Sequence, residues 1–436
     1  MNSFWSVTAP SVVTTLCSSI TGIILINFVQ VISNEAVTVV AVGQRINLTH
    51  LSFVMGIGAA CTALVGLSWG RGERGSAVNA LRSSLLVGGA ISLLIVCIVI
   101  GFNREIIGFF NLSPNIVADG YHYIIGLTLI FPAQLVIYIL DSANRAVGDA
   151  YTPLKVNLAA NLMTIVFAYL LCFGRLGFSE LGLFGIVAGW GLAVWLMAVV
   201  YSYWWLSDKL RLPVKATGVA NKTNWNDFWH ISMPASIEPL ILQVSMVFYT
   251  GFIAQYGVNE LTAFGIGINI FIIFSAIGTG FSMSGSALVM AALGAGCKET
   301  VINKAYLTIR SAIFMVTISS VGLAWFSNEI ANLLVLDENI VGTTAAFLVV
   351  LAIVQPFVVL DQILSGILRT AGDGHFTIKA ILISNFGVRI PLGYFVVFSH
   401  WPVEYLFYVL IIDVVVKFSF IFPRFYTYGW ICLHIK

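Results

Sequence analysis

Arg145-Ala-Val-Gly-Asp149 and Arg369-Thr-Ala-Gly-Asp373 are two copies of one phrase, 224 residues apart, and each ends a long apolar run with a short polar turn. The same displacement links Phe4-Trp5 with Phe228-Trp229, Pro10 with Pro234, Gly43 with Gly267, Gly56 with Gly280, and Ala63-Leu64-Val65 with Ala287-Leu288-Val289. It continues through Gly70 and Gly294, Gly72 and Gly296, Pro132 and Pro356, Lys155 and Lys379, and Asn161 and Asn385, with no gap between residues 4 and 161. The chain is one unit written twice.

The composition says in what solvent that unit folds. Of 436 residues, 59% are hydrophobic and only 9% charged, whereas a soluble domain carries about 25% charge. This excludes a soluble globule and implies an integral membrane protein. A net charge of +2 calls for no nucleic-acid partner. The six cysteines are scattered, without CxxC or metal-ligand spacing, so neither a disulfide framework nor a metal site is expected.

A spanning helix needs roughly 20 apolar residues, and six candidate spans fall in each copy. They cover about 7–31, 46–69, 83–102, 118–144, 156–174 and 181–206, then about 231–254, 264–293, 307–326, 342–368, 377–399 and 404–423. The first lacks a basic leader and a small-residue cleavage site and is expected to be a retained helix. Sixteen of the 21 basic residues fall on one side of the resulting topology: Arg71, Arg74 and Arg82; Arg145 and Lys155; Lys209, Arg211, Lys215 and Lys222; Lys298, Lys304 and Arg310; Arg369 and Lys379; Arg424 and Lys436. The opposite loops hold only Arg104 and Arg175, so the positive-inside rule places the sixteen, and both termini, in the cytoplasm.

The expected fold is therefore an all-α integral membrane protein of twelve transmembrane helices. Residues 1–206 form an N-lobe, 207–227 a polar cytoplasmic linker and 228–436 a C-lobe. An even number of spans per copy makes the two six-helix repeats parallel, related by a pseudo-twofold axis along the membrane normal, with a central cavity between them.

Several motifs then resemble the multidrug and toxic compound extrusion (MATE) transporters. They are Arg-x-x-Gly-Asp at the end of the fourth and tenth spans, Tyr-Thr-Pro-Leu-Lys-Val-Asn at 151–157, Val388-Arg389-Ile-Pro391-Leu, Ala-Phe-Gly-Ile-Gly at 263–267 and Ala-Leu-Val-x-x-x-Leu-Gly-Ala-Gly at 287–296. The likeness runs from about residue 4 to 430. It implies an exporter of the bacterial inner membrane that exchanges H⁺ or Na⁺ for amphipathic, often cationic, organic compounds, working as a monomer among membrane lipids. The sequence departs from the family where some branches place an aspartate in the first span, since Ile26 or Asn27 stands there. Other branches carry a Glu in span seven and an Asp in span ten, about one helical turn from Glu238 and Asp361.

An acid within a spanning helix costs roughly 2.5–3.5 kcal/mol on insertion scales and is a functional candidate by default. Asp141, Glu238, Asp361 and Asp413 are such acids. Glu238 and Asp361 fall at similar depth, and their counterparts in the first copy are Thr14 and Ile137. They are the expected ion-coupling pair, against the blander reading of carboxyls satisfied by neighbouring hydroxyls or amides. Asp141 stands four residues before Arg145, and Asp413 four before Lys417, spacings that suit pairing on one helix face. Arg389 either faces the cavity or pairs with Asp361 or Asp413. Asp141, Arg389, Asn161, Asn385, Asn27 and Gln30 are secondary cavity candidates, and for the amides the simpler role is helix packing. Arg145 with Asp149, and Arg369 with Asp373, are expected as structural pairs in the turns.

No cofactor is expected beyond the coupling ion. The absence of G-x-x-x-x-G-K-[ST] argues against ATP drive, and no HExxH, GxSxG or paired-aspartate motif points to an enzyme. The alternatives are a flippase of lipid-linked oligosaccharides in the same superfamily, which needs a cationic cavity where only Arg45, Arg389 and Lys417 lie within spans, and a non-transporting membrane scaffold.

Overall fold

In hydrocarbon, backbone N–H and C=O groups must be satisfied within the chain, which leaves apolar runs of this length little choice but the helix. The computed structural model describes residues 2–32, 34–109, 114–215, 221–334 and 338–433, and no strand occurs among them. Lys436 and the side chain of Cys432 lie outside the described residues. The first half folds as α1 (Asn2–Ile32), α2 (Asn34–Gly70), α3 (Arg74–Gly101), α4 (Asn103–Phe109), α5 (Pro114–Ala146), α6 (Tyr151–Cys172) and α7 (Gly182–Leu206). The second folds as α8 (Trp225–Ala254), α9 (Val258–Gly294), α10 (Lys298–Trp325), α11 (Ser327–Leu334), α12 (Glu338–Thr370), α13 (Gly374–Ser384), α14 (Ile390–Phe398) and α15 (Glu404–Tyr426). With α13 and α14 taken as one, 12 helices among the described residues are long and apolar enough to cross a bilayer.

The repeat survives into three dimensions. Helices α2 and α9, α3 and α10, and α5 and α12 begin and end 224 residues apart. So do the first residues of α4 and α11, two short helices that lie beyond the reach of a search for spans because neither could cross a bilayer. The turns after α5 and α12 are closed alike: Gly148 and Gly372 take φ of 82° and 84°, a left-handed conformation that costs glycine little. The following amides of Asp149 and Asp373 donate back to the Asn144 and Leu368 carbonyls, each at 2.8 Å, which ends each helix cleanly.

The lobes meet through α1 and α2 against α8 and α9. Gly56 lies against Ser232 and Ser236 of α8, while Gly280 lies against Val12 and Thr15 of α1. Val12 and Ser236 are themselves 224 residues apart, so each contact is the other with the lobes exchanged. Between them Gly70 and Gly294 face one another. A Cβ on Gly70 would stand 2.9 Å from the Gly294 Cα, and one on Gly294 would stand 3.0 Å from the Gly70 Cα. Exchanged contacts around a self-contact define a pseudo-twofold axis between the lobes. The self-contact sits at the ends of α2 and α9 that lead into the basic turns of Arg71, Arg74 and Lys298, so the lobes are in contact at the basic face.

Small residues permit that approach, because lipid supplies no hydrophobic force to pull helices together and close packing must. The segment between α7 and α8 is tied along α3 on the same face. Arg82 donates to the Val214 carbonyl at 2.7 Å, Asn79 donates to the Asn221 carbonyl at 3.1 Å, and Ser83 and Thr223 share a hydroxyl contact of 2.8 Å.

Candidate functional site

Charges inside a spanning bundle must pair or turn inward to a cavity, and here they do both. A cavity of about 360 Å³ lies between the lobes. Its first-lobe wall includes Met55, Tyr138 and Arg145; its second-lobe wall includes Met246, Phe271, Gln362 and six charged side chains, Glu238, Asp361, Arg369, Arg389, Asp413 and Lys417.

Glu238 comes from the middle of α8 and Asp361 from the last third of α12, and the structure brings them together through a third residue. Lys417 Nζ on α15 donates to Asp361 Oδ2 at 2.7 Å and to Glu238 Oε1 at 3.2 Å. The second Glu238 oxygen accepts from Arg369 at 3.0 Å and from the Thr377 hydroxyl at 3.2 Å. The second Asp361 oxygen accepts from Ser365 at 3.2 Å. All four carboxylate oxygens therefore have donors, the condition under which buried charge is tolerated. Pro239 lies next to Glu238 on the cavity wall; with no N–H, a proline inside a helix leaves the carbonyl four residues earlier without its usual donor.

The second cluster forms where α13 passes into α14. Residues 385–389 make a single π turn, the Ile390 amide reaching the Asn385 carbonyl five residues back. Such turns occur frequently at functional sites, and this one sets Asn385 and Arg389 on the cavity wall. Arg389 Nε donates to Asp413 Oδ2 at 2.9 Å, its terminal nitrogen donates to the same oxygen, and Ser384 donates to the other.

Three sequence expectations need correction. The spacing of Asp413 and Lys417 suggested a mutual pair, but Asp413 takes the two-pronged guanidinium of Arg389, and Lys417 turns to Glu238 and Asp361. The guanidinium puts two N–H donors on one Asp413 oxygen where an ammonium would put one, and the i,i+4 neighbour loses the competition. The expected turn pairs Arg145 with Asp149 and Arg369 with Asp373 do not form either. Arg145 binds Asp141 at 3.4 Å and Arg369 binds Glu238, both in the interior, while Asp149 holds Thr152 and Asp373 holds Arg424 at 2.6 Å. An arginine at a helix end can fold back along its own helix, as Arg145 does to Asp141, or reach across to a neighbouring one, as Arg369 does to Glu238, while Asp149 and Asp373 are satisfied within the turns. Thirdly, the cavity is more cationic than the spans suggested: Arg145 and Arg369 join Arg389 and Lys417 on its wall, whereas Arg45 is exposed and is not part of the wall.

Asp141 pairs with Arg145 as expected and also accepts from Asn157 at 2.7 Å. It is buried behind Arg145 and is not among the residues lining the cavity. The repeat-matched asparagines part company: Asn385 is buried in the cavity wall, while Asn161 reaches Ser18 of α1 at 3.2 Å and stays within the first lobe. Asn27 and Gln30 are exposed along α1, away from the cavity wall, and Asn27 donates back to the Ile23 carbonyl at 3.1 Å. Lys417 is the residue whose role sequence reasoning missed, since its spacing assigned it to Asp413 and not to Glu238 and Asp361. Its signal was a single lysine in the middle of an apolar span, a position that an isolated charge rarely occupies.

Taken together, Asp141, Glu238, Asp361 and Asp413 meet Arg145, Arg369, Arg389 and Lys417, four acids against four bases, so the fully ionised network is neutral. Arg389→Ala should lower stability by about 3–5 kcal/mol, the usual cost of leaving one member of a buried pair alone. The thermal midpoint in detergent reports it, and the double variant Arg389→Met with Asp413→Leu should recover most of the loss. An unchanged midpoint in the single variant would show that the pair carries no stability.

A sequence model of the MatE family matches residues 10–170 and 234–395, one match in each repeat. Among curated proteins, the multidrug resistance protein PmpM of Pseudomonas aeruginosa is 22% identical over 403 residues, covering 90% of this chain and 83% of its own. A protein of Shewanella oneidensis named FAD transporter is 21% identical over 326 residues, covering 74% of this chain and 72% of its own. Among solved structures, that of a point mutant of the Vibrio cholerae MATE transporter VcmN superposes with a TM-score of 0.89 over 99% of this chain and 98% of that one, at 15% identity.

Proposed function

The chain belongs to the MatE family of multidrug and toxic compound extrusion transporters, and from that premise we propose a secondary active exporter that exchanges H⁺ or Na⁺ for amphipathic organic cations. It sits in a bacterial inner membrane with both termini cytoplasmic, and Glu238 and Asp361 bind the coupling ion. The observation that carries the reading is the Glu238–Lys417–Asp361 cluster on the wall of an interlobe cavity.

Charge bookkeeping explains why exchange, rather than co-transport, suits this wall. With all eight groups ionised the network is neutral. A coupling ion on Glu238 or Asp361 gives it one positive charge, a substrate cation does the same, and both together give it two. The two cations therefore disfavour one another electrostatically, which favours exchange over co-transport. Tyr138 and Phe271 offer aromatic faces to a cation, and Met55, Met246 and Met283 offer adaptable apolar contact. Ion binding in the second lobe biases which face of the lobe interface is closed, as any ligand with unequal affinity for two states does.

A second reading has its own support. Four cations line the cavity, and one relative bears the name FAD transporter, so an anionic substrate is the competing class. Purified protein in proteoliposomes, loaded in parallel with a cationic dye and with flavin adenine dinucleotide, separates the two under imposed proton and sodium gradients. Gradient-driven dye flux without ATP is the expected result. Flavin flux alone would transfer the proposal to anions, and no flux of either probe under either gradient would end it.

A further inference from the structure

Two carboxylates from different helices converge on the cavity wall, with the Ser365 and Thr377 hydroxyls on their outer sides. Oxygen-only clusters of this kind are what hard cations prefer. The point between them, however, is taken. Lys417 Nζ lies 2.7 Å from Asp361 and 3.2 Å from Glu238, and it is carried there by a side chain anchored on α15. We propose that Lys417 is a built-in cation filling the seat between Glu238 and Asp361, so that protons and not sodium ions drive this transporter.

The inference rests on the exporter reading and narrows its coupling ion. Sodium would have to displace an ammonium that is tethered beside its ligands, and therefore competes at high effective concentration. It would also have to settle beside the Arg369 guanidinium, which already occupies the second oxygen of Glu238. A proton meets neither obstacle, because it adds to one carboxylate oxygen, or leaves Nζ, without needing a shell of ligands.

The charged groups around Lys417 are Glu238 from α8, Asp361 and Arg369 from α12, Arg389 from the π turn, Asp413 on its own helix and Arg145 across the cavity. Among the described residues no first-lobe acid lines the cavity, since Asp141 is held behind Arg145. The one further carboxylate described on the wall, Asp413, is already taken by Arg389 and by the Ser384 hydroxyl.

Thermal unfolding of the full chain in detergent tests the seat directly, comparing sodium chloride with choline chloride at equal ionic strength. Wild type and Lys417→Arg should unfold at the same midpoint in both salts. Lys417→Ala, whose seat is open, should gain a shift of several degrees in sodium, as linkage requires of a ligand that binds only the folded state. Lys417→Gln serves as a second neutral variant if the alanine form does not fold. A wild type stabilised by sodium as much as the neutral variants, or neutral variants indifferent to it, would overturn the assignment.

The transport arm uses wild-type proteoliposomes: flux under a proton gradient and none under a sodium gradient is expected, and sodium-driven flux would overturn the proposal. Should neither neutral variant fold, this arm and the wild-type midpoint decide it. The two readings fail differently. A sodium shift in Lys417→Ala with no flux under any gradient leaves the seat standing and removes the exporter.

Discussion

Asp361→Asn is expected to lose gradient-driven efflux by about 100-fold or more while the protein still folds. Asp361 has one charged partner among the described residues, Lys417, and Lys417 has two, Asp361 and Glu238. The amide leaves Lys417 resting on Glu238, so the packing survives, but the network gains a permanent positive charge and loses a group that can take up a proton. Each 1.4 kcal/mol is about tenfold in an equilibrium, so a bias of about 3 kcal/mol between the two states of the cycle is enough to hold the transporter on one side of it.

Glu238→Gln should lose transport as well, but with a lower thermal midpoint, because it also strips Arg369 of its carboxylate. Initial rates of dye efflux and midpoints measured on the same preparations separate the two effects. Wild-type rates in Asp361→Asn would reduce Asp361 to a packing partner of Lys417.

What the sequence made legible, and what it hid, follows from how local each feature is. The spans, their number and the lobe repeat are properties of composition along one stretch of chain, and α2/α9, α3/α10 and α5/α12 realise the repeat end for end. The short helices α4 and α11 escaped because no length criterion marks them. The π turn at 385–389 escaped because a helix that gains one residue keeps the same hydrophobic run.

Ion pairing was the least legible feature, since it depends on which helices lie side by side. The same i,i+4 rule succeeded at Asp141–Arg145 and failed at Asp413–Lys417, and the repeat explains the first. In the first lobe Thr14 stands where α8 has Glu238, so Arg145 finds no acid across the bundle and turns to its own helix. In the second lobe Ser365 stands where α5 has Asp141, so Arg369 finds no acid one turn back on its own helix and reaches across. The two lobes started from one plan and exchanged which helix carries the acid, and only the second thereby turned its carboxylates toward the cavity.

Gly294→Leu should hold the lobes apart at the basic face. At that point α2 and α9 touch backbone to backbone: a Cβ on Gly294 would press on the Leu67 carbonyl and stand 3.0 Å from the Gly70 Cα, positions with no flexible side chain able to give way. Overpacking of a tight contact costs about 1–3 kcal/mol, and a free-energy difference of that size moves a two-state ratio by about 5- to 150-fold. The penalty applies only to the arrangement in which the lobes meet here, so the population moves toward one in which they separate at this face.

Arg71 and Lys298, exposed in the turns just beyond Gly70 and Gly294, are suitable positions for spin labels once the exposed Cys97 and Cys297 are replaced. Pulsed dipolar spectroscopy should find a short separation in the parent and a longer one in Gly294→Leu, with gradient-driven efflux reduced because the cycle cannot return through the closed form. Gly70→Leu should act the same way, since the two glycines meet across the pseudo-twofold axis. A bulky residue at Gly89, which has open space around its Cβ position, should leave the distance distribution unchanged. If Gly294→Leu folds and keeps the parent's short separation, then the glycine contact does not set the state of this face, and the link between lobe closure and transport has to be sought elsewhere in the interface.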